Sequence, residues 1–261
     1  MTKLMGVVNV TPDSFSDGGL YLDPEAAIAH GRELAAAGAE ILDVGGESTR
    51  PGAEPVAAEE ELRRVIPVVE GLGDLDREIS VDTSKAAVAA AAIDAGATIV
   101  NDVTALRGDP AMAPLCAERG ATVVLMHMLG EPRTMQADPR YEDVVAEVKA
   151  FLAERLAAAV AAGIAEERVW LDPGVGFGKT AAHNMELLRR LGELRELGRP
   201  LVIGTSRKSF IGKVDGSAAG ERLGGTIASS VLAAAEGAEV LRVHDVAEVR
   251  QALAVAAAIL G

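Results

Sequence analysis

The hydrophobic residues of this chain fall into two patterns that alternate along its length. Short runs rich in valine, isoleucine and leucine recur eight times, and most of each run is apolar on both faces. Strands of this kind are typical of parallel sheets covered by helices. The runs predict eight strands, at 4–10, 40–46, 78–82, 97–102, 121–127, 168–172, 200–206 and 239–245.

The longer segments between these runs predict helices. In 139–163, Val145, Val148, Leu152 and Leu156 repeat at three-to-four spacing and form one apolar stripe. Several helical segments end in a glycine shortly before the next strand. Such a glycine is the expected stop, because it tolerates a left-handed backbone. These glycines are Gly38, Gly96, Gly120, Gly163 and Gly237.

The order of these elements predicts the fold class. Eight strand–helix units in 261 residues favour an α/β fold, a (β/α)8 barrel formed by a single domain over 1–261. A doubly wound open sheet is the alternative, because it uses the same alternation of strands and helices.

Composition and charge narrow the class of protein. Hydrophobic residues make up 49% and charged residues 25%, which is typical of a globular chain. The formal net charge of −14 disfavours nucleic acid as a partner, so an anionic substrate needs local cations. No stretch resembles a signal peptide or a membrane span, and one cysteine, Cys116, forms no disulfide within a chain. We expect a soluble, cytoplasmic protein.

Polar side chains collect where the predicted strands end. In a (β/α)8 barrel these ends surround the active site. The residues are Asn9, Glu47–Arg50, Asp82, Asn101–Asp102, His127, Asp172, Ser206–Ser209, Arg242 and His244. We therefore expect one mouth that gathers carboxylates, amides and cations.

Several of these residues also have a purely structural interpretation. Taken alone, Asp82 and Asp102 are more typical of caps that accept backbone N–H groups of the following helix. His127, between two methionines, is more typical of a core histidine than of a catalytic one. The pair Arg207–Lys208 is compatible with a solvated helix start. The agreement among eight strand ends is what favours a functional site.

Two loops and a group of cations add to the predicted mouth. The segments 9–19 and 45–53 are rich in Gly, Ser, Asp and Pro, and we interpret them as lids, with plain connectors as the alternative. The loops after strands seven and eight supply Lys208, Ser209, Arg242 and His244, which suit a phosphate or pyrophosphate. The carboxylates of Asp82 and Asp172 would repel phosphate. The expected substrate therefore has a donor-bearing ring at one end and a phosphate at the other.

Eight segments carry a combined signature when they are read in order. They are MGVVNVTPDSFSDGG, DVGGESTRPGA, SVDTSK, NDVTAL, LMHM, DPGVGFGKT, GTSRKSFIG and LRVHDV. As a set they resemble the successive segments of bacterial dihydropteroate synthases, from Met5 to about Asp245. The resemblance implies a TIM-barrel transferase of folate biosynthesis. Such an enzyme joins 6-hydroxymethyl-7,8-dihydropterin pyrophosphate to p-aminobenzoate and yields 7,8-dihydropteroate and pyrophosphate, with Mg²⁺ as the metal.

The resemblance also assigns roles to matching positions. It places Asp82, Asn101, Asp172 and Lys208 in a pterin pocket, and Asn9, Arg242 and His244 on the pyrophosphate, with Asn9 also near the metal. The p-aminobenzoate side would comprise Phe15, Thr49, Arg50, Pro51, Phe177 and Ser209. Asp13 and Asp17 correspond to lid carboxylates. The expected catalytic residues are Asp82, Asp172, Lys208, Arg242 and His244, in a reaction where pyrophosphate leaves before the amine attacks.

The segment DPGVGFGKT, residues 172–180, needs a separate interpretation. Its last three residues match a Walker A loop, but Pro173 stands where the first glycine is required. We therefore expect no phosphate cradle. The glycines would let the backbone pass close to the pterin ring, and Lys179 would cap or solvate the following helix.

Two other functions remain open from the sequence. One is a pterin-binding methyltransferase domain, which the two lids and the lack of a corrinoid-binding region disfavour. The other is a paralogue that binds pterin without turnover. The family usually forms homodimers, and the apolar segment 252–260 is compatible either with such an interface or with packing on its own barrel.

Overall fold

Eight parallel strands form the centre of the fold. A computed structural model describes residues 2–11, 23–49 and 52–260. Within these ranges the strands are β1 Lys3–Asn9, β2 Ile41–Gly45, β3 Glu78–Asp82, β4 Ile99–Asp102, β5 Thr122–Met126, β6 Val169–Asp172, β7 Val202–Ile203 and β8 Val240–Val243.

The strands close into a barrel. The hydrogen-bonded order is β6-β5-β4-β3-β2-β1-β8-β7, and every pair is parallel. A further parallel bridge between Leu171 and Leu201 joins the two edge strands, β6 and β7. The predicted (β/α)8 barrel is therefore confirmed, and the doubly wound open sheet is excluded.

Helices follow the strands around the barrel. In the described part of the chain they are α1 Pro24–Ala37, α2 Ala58–Leu72, α3 Ala86–Asp94, α4 Met112–Arg119, α5 Val144–Ala161, α6 Ala181–Arg189, α7 Ser209–Asp215, α8 Leu223–Ala235 and α9 Val246–Leu260. Short 3₁₀ turns cover Glu166–Arg168, Leu191–Leu197 and Ala219–Glu221. Among the described residues, none of these helices is long and apolar enough to cross a membrane.

The two largest apolar clusters of the described residues hold this arrangement together. The larger lies between the strands and the surrounding helices, and includes the α5 residues Val145, Val148 and Leu152. A separate cluster contains only strand residues and fills the barrel interior: Met5, Ile41, Ile99, Val124, Val202 and Val240, with Trp170 against it. Because side chains fill the barrel, a ligand must bind at its mouth.

The helix ends follow the sequence signals closely. All five glycines that were predicted to end helices have a positive φ. Helix α5 begins five residues later than predicted, at Val144, because the Asp143 carboxylate accepts the N–H groups of Val145 and Ala146.

Strand β7 is much shorter than the predicted 200–206. Beyond Ile203 the chain leaves the ladder and turns its polar groups towards the mouth. The Ser206 Oγ, rather than a backbone carbonyl, accepts the N–H of His244 at 3.2 Å. Residues 204–206, which were predicted to extend this strand, therefore belong to the site.

Candidate active site

The carboxyl ends of the strands open into a cleft of about 450 Å³. Among the described residues, the predicted site residues that line it are Asn9, Thr49, Asp82, Phe177, Lys208, Ser209, Arg242 and His244. Asn101 and Asp172 lie deeper, and both are buried. The structure thus brings the predicted pterin, pyrophosphate and p-aminobenzoate residues of the described ranges to one mouth.

Arg242 on β8 organises the carboxylates of the mouth. Its Nε donates to Asp43 Oδ2 at 2.6 Å, and its Nη2 donates to Asp82 Oδ2 at 2.9 Å. Asn101 Nδ2 donates to the same Asp43 oxygen at 3.2 Å. Asp82 is therefore an ion-pair partner, and its interpretation as a helix cap was wrong. Helix α3 begins at Ala86, after the N-cap residue Lys85.

Asp43 on β2 is the main residue that the sequence analysis missed. It is fully buried, and its Oδ1 has no hydrogen-bond partner. The available signal was a carboxylate inside the apolar run ILDVG, because a charged group in a buried strand needs a partner. From the sequence, this run predicted a strand, and Asp43 was not selected as a site residue.

The electrostatics of this cluster set its protonation. Burial raises the pKa of Asp82 to about 7; Arg242 opposes the shift and Asp43 adds to it. Burial acts to lower the pKa of Arg242, but the carboxylates of Asp43 and Asp82 outweigh it and raise the pKa above its usual value. Arg242 therefore stays charged, while Asp82 can gain or lose a proton near neutral pH.

Asp172 and Lys208 form a second pair of opposite charges. Asp172 Oδ1 accepts the N–H of Gly174 at 2.7 Å. Burial raises the pKa of Asp172, and Lys208 opposes that shift. Lys208 Nζ donates to the Val175 carbonyl and lies 4.7 Å from the centre of the Phe177 ring. Burial lowers the pKa of Lys208 to about 8, with Asp172 acting in the opposite direction.

The loops after β7 and β8 hold the other cations in place. His244 Nδ1 lies 2.9 Å from Ser206 Oγ. Arg207, which has a φ of 57°, donates from Nη2 to Asp245 at 2.5 Å. Because Arg207 and Lys208 have specific partners, their interpretation as a solvated pair was wrong. Ser209 begins α7 at the edge of the cleft.

Lys179 lies inside the protein, contrary to its prediction as a helix cap or solvated residue. Its side chain is 2% exposed and contacts His127 and the carbonyls of its own loop. Helix α6 is capped instead by Thr180, whose Oγ1 accepts the N–H of His183 at 3.2 Å.

His127 matches its interpretation as a core histidine, whereas the interpretation of Asp102 as a helix cap was wrong. His127 is buried, packs edge-on against Phe151, and has a pKa lowered to about 3, mainly by burial. Asp102 accepts the N–H groups of Thr104 and Leu106, so it caps a tight turn rather than a helix. Both side chains are buried at the carboxyl ends of their strands.

Five predicted residues lie outside the described ranges. They are Asp13, Phe15, Asp17, Arg50 and Pro51. Their proposed lid and p-aminobenzoate roles stay predictions. Thr49, which precedes the second of these gaps, lines the cleft.

A second ionic network supports the loop that carries Thr49. Lys85 Nζ donates to Glu61 Oε2 at 2.6 Å and also to Glu47. Glu47 Oε1 in turn accepts the N–H of Val56 at 3.1 Å. Since Glu61 is fully buried on α2, this network ties the start of the loop to the barrel wall. The sequence analysis did not select Lys85 or Glu61.

The predicted metal ligand, Asn9, shares the cleft with Arg242 and His244. Within the described ranges, no group of three or more His, Cys, Asp or Glu side chains could hold a metal ion. Mg²⁺ commonly uses one or two protein oxygens together with substrate phosphates and water. The side-chain amide oxygen of Asn9, beside the predicted anion site, fits this mode of coordination.

The class of protein follows from a comparison with known families. Residues 5–244 match the pterin binding enzyme family. This match agrees with a barrel whose mouth pairs buried carboxylates with cations.

Individual relatives narrow the class further. The chain is 50% identical over 258 residues to the dihydropteroate synthase of Escherichia coli K12. The alignment covers 98% of this chain and 91% of the relative. It superposes on the Xanthomonas albilineans dihydropteroate synthase with 4-aminobenzoic acid with a TM-score of 0.93, at 52% identity, covering 100% and 93% of the two chains. The same enzyme in complex with 7,8-dihydropteroate gives a TM-score of 0.89 at 48% identity, covering 100% and 94%. The chain belongs to the dihydropteroate synthase family of pterin-binding enzymes, and it is a transferase.

Proposed function

We propose that this cleft joins 6-hydroxymethyl-7,8-dihydropterin pyrophosphate to p-aminobenzoate and releases 7,8-dihydropteroate and pyrophosphate. The observation that carries the proposal is that buried carboxylates and basic side chains share one cleft. Asp82 in the cleft and Asp172 deeper supply acceptors, while Arg242, which pairs with Asp82, and His244 supply donors. The relatives with 4-aminobenzoic acid and with 7,8-dihydropteroate support the same pair of substrate and product.

The pterin ring would lie against the buried polar residues. Its exocyclic amine and ring N–H groups are donors, and Asp82, Asn101 and Asp172 offer acceptor oxygens. Lys208 would complete the pocket by donating to a ring acceptor. A buried carboxylate is favourable only when it is paired, so a donor-rich ring satisfies groups that would otherwise be costly to bury.

The pyrophosphate would lie at the cationic end. Arg242 and His244 would donate to its oxygens, and Ser206 would hold the His244 ring through Nδ1. Asn9 would hold Mg²⁺ together with phosphate oxygens. When bound, Mg²⁺ would neutralise part of the charge on the departing group.

The arylamine would enter beside Thr49, Phe177 and Ser209. The Phe177 ring offers an apolar face, and Ser209 at the start of α7 offers polar contacts. Phe15, Arg50 and Pro51 would complete this side. These residues would hold the amine nitrogen close to the pterin methylene carbon, which is the orientation effect that bimolecular steps need.

The charges favour loss of pyrophosphate before attack. The bond between the methylene carbon and the bridging oxygen breaks, and pyrophosphate leaves with the electron pair. Arg242 and His244 stabilise the charge that the leaving oxygen gains. The cation left on the pterin is stabilised by Asp82 and Asp172. The amine lone pair then forms the C–N bond, and the nitrogen loses a proton.

Product analysis tests this proposal. The chain would be incubated with the pterin pyrophosphate and Mg²⁺, with and without p-aminobenzoate, and the product identified by mass. We expect 7,8-dihydropteroate in equal amount to released pyrophosphate. Tight binding of the pterin with no product would identify the non-catalytic paralogue instead.

We propose that the chain forms a homodimer. The α9 residues Val255, Ile259 and Leu260 are exposed by 56%, 77% and 73%, and Leu232 on the neighbouring helix α8 by 64%. Packing of α9 on its own barrel leaves these side chains in water, and a homodimer would cover them.

Sedimentation measurements test the homodimer. We expect wild type to sediment as a dimer and Leu232→Glu with Ile259→Glu to sediment as a monomer. Val160→Glu on α5 is the matched control, since Val160 is also exposed but lies on a different helix. A monomeric wild type would contradict the proposed assembly.

A further inference from the structure

The loop between β6 and α6 turns its carbonyl groups inward. Gly174, Gly176 and Gly178 have φ values of 66°, 88° and 62°, so alternate residues adopt the left-handed conformation. Each carbonyl from 174 to 178 has a donor. Lys179 Nζ donates to Gly174 and Phe177. Lys208 Nζ, Gln136 Nε2 and Tyr141 Oη donate to the carbonyls of residues 175, 176 and 178.

Lys179 occupies the centre of this arrangement. Its Nζ lies 3.0 Å from the Gly174 oxygen, 2.9 Å from the Phe177 oxygen and 2.8 Å from His127 Nδ1. An ammonium group has three N–H donors, and three acceptors lie within 3.0 Å. A neutral amine has only two, so one of these three contacts would lose its donor. The low pKa of His127 keeps its ring neutral, so Nδ1 can accept.

The loop also lies against the end of β5 at very short range. A Cβ on Gly174 would lie 1.9 Å from the His127 carbonyl oxygen, and one on Gly178 would lie 2.7 Å from that of Leu129. The His127 oxygen is itself 3.5 Å from Lys179 Nζ. Carbonyl groups of two backbone segments therefore converge, and the ammonium supplies the positive charge between them.

The same loop carries contacts to the pterin side of the cleft. Gly174 donates to Asp172, Val175 accepts from Lys208, and the Phe177 ring faces the Lys208 ammonium. Burial lowers the pKa of Lys179 to about 7, and the Asp172 carboxylate acts in the opposite direction by favouring the charged ammonium. A displaced loop would thus move acceptors and donors that the pterin needs.

We infer that Lys179 is a built-in cation that fixes the 174–178 loop, and through it Asp172 and Lys208, in the geometry that binds the pterin ring. The loop therefore has the opposite polarity to a Walker loop, which presents N–H groups to an anion. Here the carbonyls hold a cation that belongs to the chain. Lys179 is a positioning residue, and the inference rests on the proposed pterin site.

Ligand binding by two variants tests this inference. Lys179→Met keeps most of the side-chain volume without the donors, and Lys179→Ala leaves space for an added amine. Dissociation constants would be measured for 6-hydroxymethyl-7,8-dihydropterin and, separately, for inorganic pyrophosphate with Mg²⁺. We expect roughly a tenfold or larger loss of pterin affinity in both variants. Pyrophosphate affinity should stay within about twofold, because Arg242 is held by Asp43 and Asp82, and His244 is held by Ser206.

Chemical rescue separates the cation from simple packing. Propylammonium should restore pterin binding by Lys179→Ala, whereas tetramethylammonium at the same ionic strength has no N–H donor and should not. Lys149→Ala, which removes a lysine paired with Glu196 on the surface, is the control and should behave as wild type. Wild-type pterin affinity in Lys179→Met, or equal loss of pterin and pyrophosphate binding, would overturn the inference.

Two further outcomes have defined meanings. If neither variant folds alone, recovery of the Lys179→Ala melting temperature by propylammonium supports the inference, and no recovery overturns it. If wild type itself neither binds pterin nor forms dihydropteroate, the proposed function has failed. The same melting experiment then decides whether Lys179 fixes the loop.

Discussion

Arg242 is the residue around which the polar side chains of the mouth are arranged. One guanidinium contacts both Asp43 and Asp82, and Asp43 also accepts from Asn101. The Asp43 carboxylate is buried. Of the two residues that donate to it, Arg242 lines the cleft and Asn101 does not. The effect of Asp43 on the reaction should therefore be indirect, through the orientation of the guanidinium that we propose for the pyrophosphate.

Asp43→Asn tests this indirect role. The change keeps the shape but removes the charge that holds Arg242 Nε, so we expect kcat/KM to fall by about 10²-fold, as for loss of one preorganised electrostatic partner. Asp74→Asn is the matched control, because Asp74 pairs with Arg32 at the surface. Steady-state kinetics would show whether the loss is in kcat. Unchanged kinetics for Asp43→Asn would leave Arg242 oriented by Asp82 alone.

Protonation of Asp82 predicts a pH dependence of pterin binding. Its pKa is raised to about 7 by burial, against Arg242 and with added repulsion from Asp43, Glu61 and Asp102. Above pH 7 the ionised carboxylate accepts N–H donors, and below pH 7 the protonated form accepts them poorly. The affinity should therefore fall as pH decreases, approaching tenfold per pH unit.

Calorimetric titration of 6-hydroxymethyl-7,8-dihydropterin between pH 5.5 and 8.5, a range chosen to span about one and a half units on either side of that pKa, would measure this slope. Asp82→Asn should bind more weakly and show a shallower slope, with the remainder due to Asp172, whose pKa is also raised. A constant affinity for wild type across this range would contradict the assignment.

At the scale of elements, hydrophobic periodicity predicts the barrel well but not its polar loops. The eight strands and the glycine stops were confirmed because each depends on local pattern. Lys179 was wrongly placed, since a lysine before a helix normally stays in water. Its burial depends on carbonyls of its own folded loop and on His127, which lies 52 residues away in the chain. Asp43 was missed for the same reason: its partners come from other strands.

Two glycine substitutions test how tightly the 174–178 loop must pack. Gly174→Ala would place a Cβ 1.9 Å from a backbone oxygen, whereas Gly198→Ala meets nothing within 4 Å. Both positions have similar positive φ values, 66° and 69°, so both carry the same backbone cost of about 1 kcal/mol. We expect only Gly174→Ala to weaken pterin binding, by roughly tenfold or more, in fluorescence titrations. Equal affinities in the two variants would show that the close approach is unimportant.

In the molecule as a whole, the barrel brings opposite charges from distant parts of the chain together in one cleft. Asp82 and Asp172 lie on β3 and β6, while Arg242 lies on β8 and His244 directly follows it. The net charge of −14 does not reveal this local arrangement of carboxylates and basic side chains. The family and its reaction are confirmed by relatives, whereas the metal, the dimer, the lids and the single-domain organisation over 1–261 stay predictions.

The division of the cleft into a pterin end and a pyrophosphate end is the central claim. The most direct test is calorimetric binding of 6-hydroxymethyl-7,8-dihydropterin and of pyrophosphate with Mg²⁺ to Asp172→Asn and His244→Ala. We expect a crossover: Asp172→Asn should lose roughly tenfold in pterin affinity and keep pyrophosphate binding, and His244→Ala should do the reverse. If both variants lowered both affinities equally, or changed neither, the two ends would not be separate and the account would be contradicted.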